Sequence, residues 1–131
     1  LRTPEYAGFQ LLGLNDYSGQ GTALVGPLNV FWREKSWVKN ATDMNMFRHA
    51  CKPVVPLARF PRFVYTAADT LVVPVELYNA SASALTVTPR YSISGSGVET
   101  ISGVLANGVQ TYPVGKNIAL GTISLPLNIY N

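Results

Sequence analysis

Seven carboxylates are the groups through which this sequence could do acid–base or nucleophilic work: Glu5, Asp16, Glu34, Asp43, Asp69, Glu76 and Glu99. Hydrolysis by a carboxylate pair sets the two groups about 5 Å apart, or about 6.5–9.5 Å apart where a water must fit between them. None of the seven has an evident partner. Asp43 follows Thr42 at a helix start, where a carboxylate favours the positive end of the dipole. Glu34 faces solvent beside Lys35, Asp69 belongs to the turn before a strand, and Glu76 and Glu99 lie on exposed polar strand faces.

His49 and Cys51 suggest a base and a nucleophile, but two positions apart on a helix their side chains diverge, and no carboxylate follows to orient the histidine. One cysteine cannot close an internal disulfide, and one cysteine with one histidine cannot fill a four-ligand zinc site. Both read as packing residues, and no cofactor or metal is expected. Trp32 and Trp37 could form a flat stacking platform, although an aromatic in an amphipathic helix is usually core. Asn40-Ala41-Thr42 and Asn79-Ala80-Ser81 match the N-glycosylation acceptor pattern, a weak signal.

The elements that position these residues change character near residue 52. Gly8 to Leu14 is a short apolar run that reads as a buried strand. A polar turn, Asn15 to Gly21, follows. From Thr22 to Trp32 apolar residues recur at three- and four-residue spacing, which predicts helical turns with a break at Gly26-Pro27. A second helix is predicted from about Asp43 to Ala50, stopped by Pro53 and Pro56. From Val54 the period becomes two. Leu71, Val73, Val75 and Leu77 form one apolar face, and Pro74 predicts an edge or bulged strand. Strands are also predicted over 85–93, 98–106 and 118–127, with turns at 79–84, 95–97 and 107–108. Four or five strands without intervening helices argue for an antiparallel β-sandwich.

Length and composition fit one domain plus a small appendage, and 47% apolar residues suffice for a packed interior. Charged residues are sparse at 13%, which hints at a surface normally covered. Ten basic and seven acidic residues give a net charge of +3 without a basic stripe, so nucleic acid is not an expected partner. No apolar run is long enough to insert in a membrane. An export signal is expected outside this sequence.

The string Arg2-Thr3-Pro4-Glu5-Tyr6-Ala7-Gly8-Phe9-Gln10-Leu11-Leu12, continuing through Asp16-Tyr17-Ser18-Gly19-Gln20-Gly21-Thr22-Ala23-Leu24-Val25-Gly26, resembles the closing βα unit of family 2 glycoside hydrolases, β-galactosidase-like proteins of gut Bacteroidetes in particular. The run Phe47 to Arg59 resembles the junction such proteins carry between barrel and sandwich. The resemblance implies a mainly β chain: residues 1–52 as the last βα segment of a TIM barrel with a connecting helix, and residues 53–131 as an immunoglobulin-like β-sandwich, possibly incomplete. It implies a parent enzyme that hydrolyses O-glycosidic bonds with two glutamates on earlier barrel strands. This chain is then a non-catalytic C-terminal or accessory region, periplasmic or extracellular in a bacterium. Loops after barrel strands build the active site. Asn15, Asp16, Tyr17 and Gln20 would accordingly border the parent's sugar pocket.

The expected partners are the remainder of the parent glycosidase and its carbohydrate substrate, together with a second copy of the chain in a homodimer. Such a dimer follows from an unpaired Phe9–Leu14 strand and from Ile123, Leu125 and Leu127 lacking a pairing partner. The alternative reading is a carbohydrate-binding β-sandwich module, for which Tyr65, Tyr78, Tyr91, Tyr112 and Tyr130 would supply stacking faces.

Overall fold

A computed structural model of the protein describes residues 2–11, 13–35, 49, 51–95 and 98–130. The chain divides into two compact units, Glu5–Lys52 on one side and Leu1–Pro4 with Pro53–Asn131 on the other. The larger unit is built of antiparallel β-sheet, in an arrangement consistent with a β-sandwich. Its strands are β1 (Val54–Ala58), β2 (Thr70–Asn79), β3 (Leu85–Val87), β4 (Arg90–Gly95), β5 (Val98–Val104), β6 (Gln110–Tyr112) and β7 (Gly115–Pro126). They form one three-stranded sheet, β1-β2-β7, and two pairs, β3-β6 and β4-β5.

The alternation read at Leu71 to Leu77 sets the core. Val73, Val75 and Leu77 are buried while Val72 and Pro74 face outward, as period two requires. Tyr112 of β6 and Leu120 of β7 close onto Val75 and Leu77, with Leu85, Val87, Leu105 and Ile123 packed around them. Pro74 sits in a central strand, but one residue past the last β1–β2 pair, Ala58 with Val75. Its carbonyl accepts from Arg59 N at 2.9 Å, on the side where pairing with β1 ends, so the missing N–H breaks no ladder bond there. A register shift follows at once between Val75 and Glu76.

Several expectations are corrected. Ile123 and Leu125 do have partners, pairing with Val73 and Leu71 of β2. The three-residue strand β6 was not foreseen, because a run that short between Asn107-Gly108 and Pro113 carries no period. Glu76 is not on an exposed polar face: it is half-buried and holds Arg59 at 3.4 Å and Asn117 Nδ2 at 2.8 Å.

Among the described residues of the smaller unit the expected βα pair is absent. Residues 8–11, 13 and 14 form no strand, since an extended run becomes one only by pairing, and Phe9, Leu11 and Leu14 are exposed. Residues 22–32 form turns in place of a helix. Gly26 approaches the backbone at Leu14 and Asn15 so closely that a Cβ there would lie 2.6 Å from the Asn15 carbonyl carbon. Pro27 and the Asn29 side chain, which accepts from Phe31 N and Arg33 N, complete a non-helical path. Two bridges, Asn15 with Leu28 and Leu28 with Glu34, tie this path together. The helix expected over 43–50 lies outside the described residues except for helical, exposed His49. Cys51 is exposed as well, so neither is a packing residue.

Candidate functional site

The four residues singled out in the 15–21 turn come together, and the structure divides them by role. Tyr17 N donates to Ala23 O at 3.1 Å and Ala23 N to Gln20 O at 2.9 Å, which closes residues 17–23 into a compact loop. Beside it lies a cavity of about 320 Å³ lined by Gly13, Asn15, Tyr17, Gln20, Thr22, Ala23 and Val25. Gly13 has φ +84°, a backbone conformation glycine adopts readily, and it leads the chain into Asn15. Tyr17 is exposed, and its ring lies across Gly19: a Cβ on Gly19 would sit 2.6 Å from the ring.

Asp16 is the exception. It is buried, and its Oδ1 accepts from Lys35 Nζ at 2.7 Å and from Gly26 N at 3.1 Å. It takes no part in lining the cavity and serves as a clasp between the loop and the turn that follows. Lys35 is bound further by the Leu24 carbonyl at 3.0 Å. Sequence reasoning missed this lysine. The signal was present only as a basic residue near Glu34, because a partner 19 positions away is not readable from local spacing.

The remaining side chains are asymmetrically engaged. Gln20 Nε2 donates to Thr22 Oγ1 at 3.2 Å, and Asn15 Nδ2 to the Asp16 carbonyl at 3.1 Å. Among the described residues no carboxylate lines the cavity.

Elsewhere, Glu76 and Asp69 are held in ion pairs with Arg59 and Arg62. Asp69 accepts from Thr66 N at 2.7 Å and pairs with Arg62 at 2.6 Å. The Thr66 hydrogen bond, and then Arg62, hold its carboxyl below the usual carboxylate range. Arg62 also stacks 4.6 Å from the Tyr65 ring centre. Of the two acceptor patterns for glycosylation, that at Asn79 is unusable, because its side chain is buried and bonded to Ser81, Ser83 and Pro113. The other, at Asn40, lies outside the described residues. Among the described residues no three His, Cys, Asp or Glu cluster as metal ligands. Compared with protein-family profiles and with curated proteins, the chain matches none.

Proposed function

We propose that this chain is a non-catalytic C-terminal region of a family 2 glycoside hydrolase, β-galactosidase-like, comprising an N-terminal segment belonging to the catalytic barrel and an immunoglobulin-like sandwich. The ordered string from Arg2 to Gly26 supports the parentage. The observation that carries the reading is an asymmetry of burial. The buried Val, Leu and Tyr side chains among those described all lie in the sandwich unit, which itself leaves Phe60 and Phe63 exposed; in the smaller unit Phe9 is 70% exposed, Phe31 77% and Trp32 65%. Its buried residues are Asp16, Gly26 and Pro27. Apolar side chains in such number are covered in a working protein, and the remainder of a barrel is the cover this reading supplies.

The alternative, a carbohydrate-binding sandwich module, needs exposed aromatic faces on a sheet or a loop. Tyr112 is buried, and Tyr65, Tyr78 and Tyr91 are half-buried, the last lying against Gly103. These tyrosines weigh against a sheet-face platform; the exposed aromatics of the sandwich unit are Phe60 and Phe63, between β1 and β2. The test is the flanking gene and its product: an upstream barrel with two glutamates, active on an aryl β-galactoside when joined to this chain, with the chain alone inactive. A flank encoding no barrel would refute the proposal.

A further inference from the structure

We propose that Arg2, Thr3 and Arg59 of the sandwich unit form a site for a tetrahedral oxyanion, a phosphate or sulfate group. The site is independent of the glycoside hydrolase reading.

Two guanidinium-bearing residues, Arg2 and Arg59, line one open cavity of about 530 Å³ together with Thr3 and Pro4. Arg2 is brought there by its main chain. Its carbonyl accepts from Arg59 Nη1 at 3.1 Å and from Asn117 Nδ2 at 3.0 Å, residues 57 and 115 positions away. These bonds fasten Arg2 to the end of β1 and to β7, and its guanidinium takes no part in the fastening. Asn117 has φ 53°, a left-handed conformation that asparagine tolerates better than most residues, and its Nδ2 also donates to Glu76 Oε2 at 2.8 Å.

The charges of this cluster call for an anion. Like charges that share a cavity repel, and among the described residues Glu76 is the carboxylate set against them, 3.4 Å from Arg59 Nε. Its Oε2 is shared with Asn117. Two guanidinium charges against one carboxylate leave the cluster one positive charge in excess.

Arg59 is the pre-organised member. Its Nε faces Glu76 and its Nη1 the Arg2 carbonyl, so the plane of the fork is fixed while Nη2 enters neither contact. Its side chain is 31% exposed and so can be reached from solvent. Arg59 Nη2, the fork of Arg2 and the Thr3 hydroxyl are donors on three side chains that line the same cavity. A tetrahedral oxyanion has an oxygen for each of them, whereas a carboxylate has one too few.

The experiment is NMR titration of the ¹⁵N-labelled chain at pH 7 with sodium phosphate, sodium sulfate, phenyl phosphate and sodium acetate, at an ionic strength held constant with sodium chloride. R2Q, R59K and R90Q are titrated alongside, with the Tm of each recorded; Arg90, an exposed arginine on β4, is the control. Phosphate and sulfate should shift the Thr3 and Asn117 amides saturably and bind about tenfold more tightly than acetate. R2Q should bind about tenfold more weakly, as loss of a charge-assisted donor implies. R59K should also weaken binding, since lysine keeps the charge but not the fork, and R90Q should leave it unchanged. Because Arg2 is fastened through its main chain, R2Q keeps the test decisive should R59K fold poorly. Phenyl phosphate binding at least as tightly as phosphate assigns the site to an ester carried on a larger molecule, and weaker binding assigns it to the free ion. Acetate as tight as phosphate, shifts that grow without saturating, or equal affinity in R2Q overturns the site.

Discussion

Asp16 Oδ1 and Lys35 Nζ meet at 2.7 Å across 19 residues, and this pair turns the loop's only carboxylate away from the cavity. The same oxygen receives Gly26 N, so one atom holds together the start and the end of the loop. An acid that sequence placed at the pocket rim therefore works as a fastener.

Removing that fastener should loosen the smaller unit alone. In D16A the Lys35 ammonium and the Gly26 N–H each lose a partner in a largely desolvated place, at a cost of about 1–3 kcal/mol. Amide hydrogen exchange at Gly26 and Leu28 should quicken while β2 amides keep their protection. D16N, which still offers Gly26 an acceptor, should fall between. Equal exchange at Gly26 in D16A and the unchanged protein would dismiss this role.

Asn79 holds the turn after β2 from inside the core. At 1% exposure it donates to Ser83 O and Pro113 O, both at 3.1 Å, and accepts from Ser81 N and Oγ. N79A takes a partner from the Ser83 and Pro113 carbonyls and from the N–H and hydroxyl of Ser81, groups of partly exposed turn residues, so a loss of about 1–3 kcal/mol is expected. Urea denaturation followed by circular dichroism would measure it, and a loss below about 1 kcal/mol would mean water replaces the amide.

Asp69 sets a pH limit on the loop between β1 and β2. Its carboxyl is held low by the Thr66 N–H first and Arg62 second, so its folded value lies below its unfolded one. A depressed acid contributes order that is fully present above the unfolded value, about 3.9, and is lost as pH falls through the lower folded value. The Asp69 carboxyl resonance should therefore titrate below 3.8, and D69N should abolish the acid-induced shift of the Thr66 amide. Titration of Asp69 at or above 3.8 would contradict this account.

Legibility in the sequence followed the range of the interactions. The apolar face at Val73, Val75 and Leu77 was readable because alternation is local and its burial follows from the pleat. The turns at Asn79–Ala84 and Asn107-Gly108 announced themselves through glycine and asparagine. The reading of 22–32 as helix failed because three- and four-residue spacing was given more weight than Gly26-Pro27 and the hydrogen-bonding side chain of Asn29. At the site, the pocket residues Asn15, Tyr17 and Gln20 were legible as a polar turn, but the inward set of Asp16 depends on Lys35 and was not. Longer-range pairing also explains the missed bulge in β7. Apolar positions run 118 and 120, then 123 and 125, a phase slip that marks Gly121 once the pairing with β2 is known.

The exposed apolar side chains of the smaller unit predict self-association. Leu11, Leu14, Leu24, Val25, Phe31 and Trp32 are all exposed, and without the rest of a barrel the most available cover is a second copy of the chain. Light scattering across a concentration range should show a mass above 14.2 kDa that falls on dilution, together with binding of a hydrophobic dye. A mass of 14.2 kDa at every concentration would remove the homodimer.

Gly121 is where the core is most exposed to a single methyl group. In β7, Ala119 pairs with Glu76 and Gly121 with Val75, so Leu120 is the extra residue of a bulge that turns its side chain into the cluster of Val75, Leu77 and Tyr112. Gly121 makes that possible with φ +141°, a conformation side chains rarely adopt, and with room for the Leu105 carbonyl where a Cβ would go. G121A must strain the backbone and push against the oxygen of Leu105, whose own N–H is tied to Pro89 O at 2.9 Å and cannot simply retreat. Backbone strain of about 1–3 kcal/mol and overpacking of similar size set the expected loss at about 3 kcal/mol or more. Gly108 provides the control, since it too has a positive φ, of +75°, but open space around its absent Cβ. G108A should therefore cost only the strain, about 1 kcal/mol. Urea denaturation of the two variants should place G121A well below G108A in midpoint at equal slope. The reverse order would show that the close approach to Leu105 is not what keeps a glycine at position 121.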